Sequence, residues 1–253
     1  MSREEQVAGR RYWLVGASSG IGAALATELV RRGAQVAISA RRVEDLEAVA
    51  GDAMAVVPLD VTDPDAVHRA HADAVERLGG VDVVVFCAGY WKQFDAAQWD
   101  PEVFERHVEV NLLGLNNLLA AALPPMTAAG TGHIVGIASV AGYRGIAGAE
   151  AYGATKAAQI NLLEALRAAL SPRGIRVTTV CPGFVRTEMT EVNDFPMPFI
   201  IDADRAAREI ADGIEAGRAE IVFPRRMAAL MKTARLIPVA AWPALMSRST
   251  GKA

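Results

Sequence analysis

The sequence predicts an α/β protein: one doubly wound parallel sheet of about seven strands, with helices on both faces. Three observations lead there. Short apolar runs alternate with helical stretches from one end of the 253 residues to the other. The run VDVVVFCAG (81–89) is apolar almost without a break, which marks a strand covered on both faces rather than on one. No low-complexity linker or shift in composition separates the halves, so residues 1–253 read as a single domain.

The elements follow in order. YWLVG (12–16) is a strand, and the Ala/Leu-rich stretch Ile21 to Arg32 after it is a helix that Gly33 stops. QVAISA (35–40), a short helix near 43–50, and AMAVVPLDV (53–61) come next. A helix over 64–78 opens with Asp63 as N-cap and Pro64 at the first helical position, where a missing N–H costs nothing. After the strand at 81–89, a long helical region is expected over 101–129, then HIVGIAS (133–139). A helix over 151–170 precedes IRVTTVCPG (175–183), and a last helix (203–215) and strand, AEIVFP (219–224), close the pattern.

Composition narrows the function classes. With 52% hydrophobic and 22% charged residues the chain can bury a large core. A net charge of -3 offers no clustered basic face for nucleic acid. Cys87 and Cys181 are too few and too far apart for a metal knuckle or a disulfide framework, and read as reduced core thiols. His68, His71, His107 and His133 are scattered, so no metal site is expected. The first twenty residues lack a signal-peptide core and no run of 18 apolar residues occurs, so the expectation is a soluble, cytoplasmic protein.

WLVGASSGIGAALATELVRRG places Gly16, Gly20 and Gly22 between a strand and a helix. Glycines tighten such a turn and let bare backbone approach a pyrophosphate, while the helix offers its free N–H groups and positive dipole end. This is the opening unit of a Rossmann-like sheet and predicts a dinucleotide. An NAD site wants an acid at the end of the second strand to hold the ribose 2'-OH. Here Ala40 stands at that place, followed by Arg41 and Arg42, whose guanidinium groups suit a 2'-phosphate. NADP(H) is the expected cofactor; NAD(H) is the alternative if the two arginines are only a solvated pair opening a helix.

SVAGYRGIAGAEAYGATK (139–156) carries the candidate chemistry. The chain has four lysines, Lys92, Lys156, Lys232 and Lys252, and Lys156 lies four residues after Tyr152. That spacing puts both on one helical face. A free phenol has a pKa of about 10 and exchanges protons poorly at neutral pH; a neighbouring ammonium favours the phenolate. Tyr152 then becomes a general acid/base suited to a carbonyl–alcohol interconversion, with Ser139 placed to donate to the substrate oxygen. Tyr143 has Ala147 at the same offset, lacks the partner, and reads as a pocket or loop residue.

On VGASSGIG (15–22), DVT (60–62), CAG (87–89), VN (110–111), Ser139, YGATK (152–156) and PGFVRT (182–187), the sequence resembles the short-chain dehydrogenase/reductase family in its compact single-domain form. The resemblance covers about the first 187 residues. It implies a tetrad of Asn111, Ser139, Tyr152 and Lys156: Tyr152 passes the proton, Ser139 polarises the carbonyl, Lys156 lowers the tyrosine pKa and binds the nicotinamide ribose, and Asn111 holds a water that links the lysine to solvent. It also implies cofactor contacts from Gly16, Ser18, Ser19, Gly20 and Ile21, from Asp60 and Val61 at the adenine, and from Cys87, Ala88 and Gly89. Pro182 and Gly183 would lie against the nicotinamide ring, with Val185 and Thr187 on its carboxamide. Two positions depart from the family pattern: Val15 replaces a usual threonine, and Cys87 a usual asparagine.

The segment 188–205, EMTEVNDFPMPFIIDADR, reads as a substrate lid. Phe195 and Phe199 on the lid, with Tyr90, Trp91 and Tyr143 on the opposite wall, favour a small apolar ketone, aldehyde or alcohol, unless these aromatics pack on the protein's own helices. Residues 225–253 extend past the family core, with Met227, Leu230, Met231, Ala234 and Ile237 at helical spacing. That extension can cover the pocket, pair with another subunit or lie on a membrane surface, and relatives are commonly dimers or tetramers. The leading expectation is an NADP(H)-dependent oxidoreductase. The alternatives are an NAD(H)-dependent alcohol dehydrogenase of the same family, a non-catalytic cofactor-binding regulatory protein, and a nucleotide-sugar epimerase or dehydratase.

Overall fold

The computed structural model describes residues 7–244. Its strands are β1 (Arg11–Val15), β2 (Gln35–Ser39), β3 (Ala55–Val56), β4 (Val83–Phe86), β5 (Gly132–Ile137), β6 (Ile175–Pro182), β7 (Val185–Arg186), β8 (Ile201–Asp202) and β9 (Glu220–Phe223). Seven of them form one sheet in the order β3-β2-β1-β4-β5-β6-β9, and every pairing in it is parallel. The chain winds outward from β1 on one side, then restarts at β4 and winds outward on the other. The β1/β4 boundary is therefore the switch point where a crevice opens beyond the strand ends.

The helices are α1 (Gly20–Arg31), α2 (Val43–Ala50), α3 (Pro64–Leu78), α4 (Pro101–His107), α5 (Gly114–Ala129), α6 (Glu150–Leu170), α7 (Glu188–Glu191), α8 (Ala203–Glu215) and α9 (Arg225–Ala234). β1 shows why two layers are needed. Tyr12 and Leu14 point into a core closed by α1, α2 and α8, and Trp13 and Val15 into a second core closed by α3, α5 and α6. All four side chains are buried, because alternate residues of a central strand face opposite layers. α3 starts as its sequence predicts: Asp63 accepts from Ala66 N at 3.0 Å with Pro64 behind it.

The region 101–129 is not one regular helix. A π-helical turn over Val108–Leu113 separates α4 from α5, and Asn111 sits in it. Such turns re-aim side chains and are common at functional sites. By length and composition alone the run 101–129 could cross a membrane, but Leu115, Leu118, Leu119 and Ala122 of α5 pack in the sheet's second core.

The lid is shorter than 188–205. It is anchored at both ends by the β7–β8 pair, and residues 203–205 belong to α8. In the C-terminal extension α9 packs through Met227, Met231 and Ala234, whereas Leu230 is exposed, so the predicted apolar face is narrower than its spacing suggests. Trp242 folds back, donating from Nε1 to Gly145 O at 2.6 Å, with the Arg144 guanidinium over its ring. Residues 245–253 of the extension lie outside the described residues.

Candidate active site

A cleft of about 530 Å³ opens beyond the ends of β1 and β4. Its floor is the turn Gly16–Gly22. Gly16 has φ +90°, and a Cβ there would run into the backbone of Ala88; one on Gly22 would run into Gly16 O. Those two positions let the turn close directly onto β4, leaving the first N–H groups of α1 at the cleft. Ser19, the N-cap, makes no side-chain cap hydrogen bond.

Ser18, Ile21, Arg41, Arg42, Asp60, Val61, Cys87, Ala88 and Gly89 also line the cleft, as do Pro182, Gly183, Val185 and Thr187. Asp60 accepts from Thr62 N at 2.9 Å and Thr62 Oγ1 at 2.8 Å. Burial pushes its carboxyl up, but the Thr62 bonds and the charge of Arg41 hold it below its ordinary value. Arg42 meets Asp45 at 2.6 Å, Glu188 at 3.1 Å and Ser19 Oγ at 3.4 Å. Cys87, where the family pattern has asparagine, is a thiol that burial pushes up to about 12.

Ser139, Tyr152 and Lys156 line the same cleft. Ser139 ends the β5 segment and accepts from Ala141 N at 3.1 Å. α6 brings Tyr152 and Lys156 onto one face, with the ammonium 5.5 Å from the phenol ring centroid. The expected depression of the tyrosine by its lysine is not seen in the protein alone. Burial pushes Tyr152 up to about 12, while the Ser139 hydroxyl pulls it the other way. Burial also pulls Lys156 down to about 8. Lys156 Nζ donates to Ile137 O at 2.9 Å and to Gln159 Oε1 at 3.0 Å.

Asn111 is fully buried and acts as a brace. Its Oδ1 accepts from Tyr90 N at 2.7 Å, and its Nδ2 donates to Tyr90 O at 3.1 Å and Thr155 Oγ1 at 3.0 Å. Its main-chain carbonyl accepts from Gln159 Nε2.

Comparison with known proteins settles the family. A family model described as short chain dehydrogenase matches residues 12–195. The chain belongs to this family. It is 38% identical over 235 residues to an uncharacterized oxidoreductase of Myxococcus xanthus, a match spanning 90% of this chain and 93% of the relative. It is similar to a short-chain dehydrogenase from Burkholderia cenocepacia in complex with NADP, at TM-score 0.83 and 27% identity over 96% of this chain and 99% of that one. A variant of actinorhodin polyketide ketoreductase with NADPH gives TM-score 0.76 and 28% identity over 87% and 97%. The protein is thus an oxidoreductase of the short-chain dehydrogenase family with a Rossmann-like sheet.

A nicotinamide dinucleotide fits the residues present. Bare backbone lies where a pyrophosphate would sit, a helix N-terminus faces it, and no acid stands at Ala40. Tyr90 and Trp91 line the cleft, joined by Met189 and Val110. Three expectations need correction. Tyr143 is turned away, its hydroxyl donating to Glu220 Oε1 at 2.6 Å in the small core under α9. Phe195 packs toward Phe184 at 6.1 Å, and Phe199 is exposed with φ +60°; neither joins the cleft wall. The lid instead meets the wall through Asn193, whose Oδ1 accepts from Trp91 Nε1 at 2.9 Å.

Two buried residues escaped sequence reasoning. His107 is wholly buried among Tyr90, Trp91 and Tyr152, its ring 4.7 Å from that of Tyr90. Burial holds it below its ordinary pKa against the hydrogen bond to Val103 O. Its offset of four from Asn111 was the available signal. Gln159 had one too, three residues past Lys156. Among the described residues no three His, Cys, Asp or Glu side chains come together as a metal site.

Proposed function

We propose that this short-chain dehydrogenase interconverts a small apolar ketone or aldehyde and the corresponding alcohol with NADP(H), using Tyr152 as the proton donor and acceptor. The observation that carries this reading is the convergence of Ser139, Tyr152 and Lys156 in the same cleft as the glycine turn. A bound nicotinamide supplies the hydride for reduction and takes it back for oxidation. Ser139 Oγ, fixed by Ala141 N, directs its hydroxyl at the substrate oxygen. Tyr152, protonated at neutral pH, gives its proton to that oxygen. The Lys156 ammonium stabilises the phenolate left behind. Asn111 braces the wall through both atoms of the Tyr90 main chain.

On the cofactor side, Gly16 to Ile21 would hold the pyrophosphate and Arg41 and Arg42 a 2'-phosphate. Asp60 and Val61 would meet the adenine, Cys87 to Gly89 would line the middle of the cofactor, and Pro182, Gly183, Val185 and Thr187 would meet the nicotinamide. The structural neighbours that carry NADP or NADPH support this choice. One observation favours NAD(H) as a second reading: Arg42 is already paired with Asp45 and Glu188, which a 2'-phosphate must outcompete. Tyr90, Trp91, Met189 and Val110 at the substrate end support an apolar substrate. We further propose a cytoplasmic homodimer or homotetramer; the two free thiols suit a reducing compartment.

Tyr152→Phe tests the chemistry. The expected result is a loss of turnover of about 10²–10⁴-fold with NADPH binding retained. Unchanged turnover would remove Tyr152 from the proton transfer.

A further inference from the structure

Gln159 is 1% exposed and lies on α6 three residues past Lys156, so the two side chains share a helical face. Its amide is used at both ends. Oε1 accepts from Lys156 Nζ at 3.0 Å, and Nε2 donates to the main-chain carbonyl of Asn111 in the π-helical turn. Chemistry fixes which end is which: an ammonium has no acceptor to offer, and a carbonyl has no donor. Lys156, Gln159 and Asn111 are all buried, at 3%, 1% and 0% exposure, so none of these bonds is traded freely for water.

We propose that Gln159 is a positioning residue, whose amide clamps the Lys156 ammonium to the π-helical turn carrying Asn111 and so holds it beside Tyr152. The inference rests on the function proposed above. The ammonium has few other supports. Ile137 O is its second acceptor, the Tyr152 phenol is protonated, and the thiols of Cys87 and Cys181 are kept protonated by burial and so bring no opposing charge. A hydrogen bond to a charged donor is stronger than a neutral one, so the Gln159 carbonyl oxygen contributes directly to keeping this lysine charged. An amide does not titrate near neutral pH, so the bridge fixes geometry without conducting a proton.

The four lysines make a direct test practicable. Protein carrying lysine labelled with ¹³C at Cε is titrated by NMR, and Lys156→Met identifies the Lys156 resonance by its loss. Turnover against pH is measured in parallel for the wild type, Gln159→Glu and Gln159→Met. A carboxylate beside the ammonium favours the charged form, so Gln159→Glu should raise the Lys156 midpoint by about one pH unit or more. Gln159→Met removes the acceptor and should lower it. The alkaline limb of the turnover profile should follow in each direction, which loss of packing alone would not produce. Midpoints unmoved in the folded variants would overturn the clamp. Midpoints that move while the alkaline limb stays fixed would leave the clamp in place and overturn the role given to Lys156 in turnover. If Gln159→Met fails to fold, Gln159→Leu, which also removes the acceptor, makes the same test.

Discussion

Gly16 shows how strongly single residues constrain this cleft. At φ +90° and against the backbone of Ala88, it accepts no side chain. Gly16→Ala should therefore cost more than about 1 kcal/mol in a denaturant titration and weaken NADPH binding in the same protein. Unchanged binding would mean that the turn does not need to close on β4. Lys156 carries the second residue-scale prediction. Burial lowers its pKa to about 8, so its charge is present below that pH and lost above it. Since the proposed chemistry uses the ammonium, turnover in the reducing direction should decline as pH rises through about 8, read from a pH–rate profile. At this scale the sequence was legible where one spacing has one meaning. Tyr152 and Lys156, four apart, and the glycines between a strand and a helix are such cases. It was illegible for Tyr143, Phe195 and Phe199, because an aromatic residue serves a pocket or a core equally well, and only the path of the chain decides. Gln159 showed only its spacing from Lys156, since the main-chain carbonyl it also binds leaves no mark in the residue code.

Between elements, α1 and α8 are joined by an ion cluster over their apolar contact. Glu28 holds Arg31 and Arg32, each at 2.7 Å, and Arg32 reaches on to Asp212 and Glu215, also at 2.7 Å. The Arg31 hydrogen bond, seconded by Arg32, holds the mostly buried Glu28 carboxyl down at about 2, against the upward push of burial. Because its folded pKa lies below the unfolded one, the stabilisation is complete above about 4.5 and is lost as pH falls toward 2. Glu28→Gln should lower stability at neutral pH by about 1–2 kcal/mol, and the difference from wild type should shrink in acid-unfolding curves. A difference independent of pH would show that packing, not charge, is responsible. The long elements were readable from period and caps, α3 through Asp63 and Pro64 most clearly. The two-residue strands β7 and β8 were not, since two residues carry no period. Nor was the π turn at Val108–Leu113, which has the composition of an ordinary helix.

For the whole molecule, strand–helix alternation was enough to give the parallel sheet, because a crossover between parallel strands must pass over a face. The sheet order then puts the glycine turn, the Cys87–Gly89 segment and the Tyr152–Lys156 pair around one cleft beyond the strand ends, without further instruction from local sequence. The substrate end follows no such rule. It depends on how the Glu188–Ile200 segment lies against Trp91, and the Asn193 contact that decides this joins residues 102 apart. An NADP(H) site that feeds a Tyr152 proton-transfer centre is open to a fluorescence titration of the purified protein with NADPH and, separately, with NADH. NADPH should bind more tightly than NADH, and Arg41→Ala and Arg42→Ala should remove most of the difference. Equal affinity, or tighter NADH, would contradict the 2'-phosphate assignment, and binding of neither would contradict the proposed function itself.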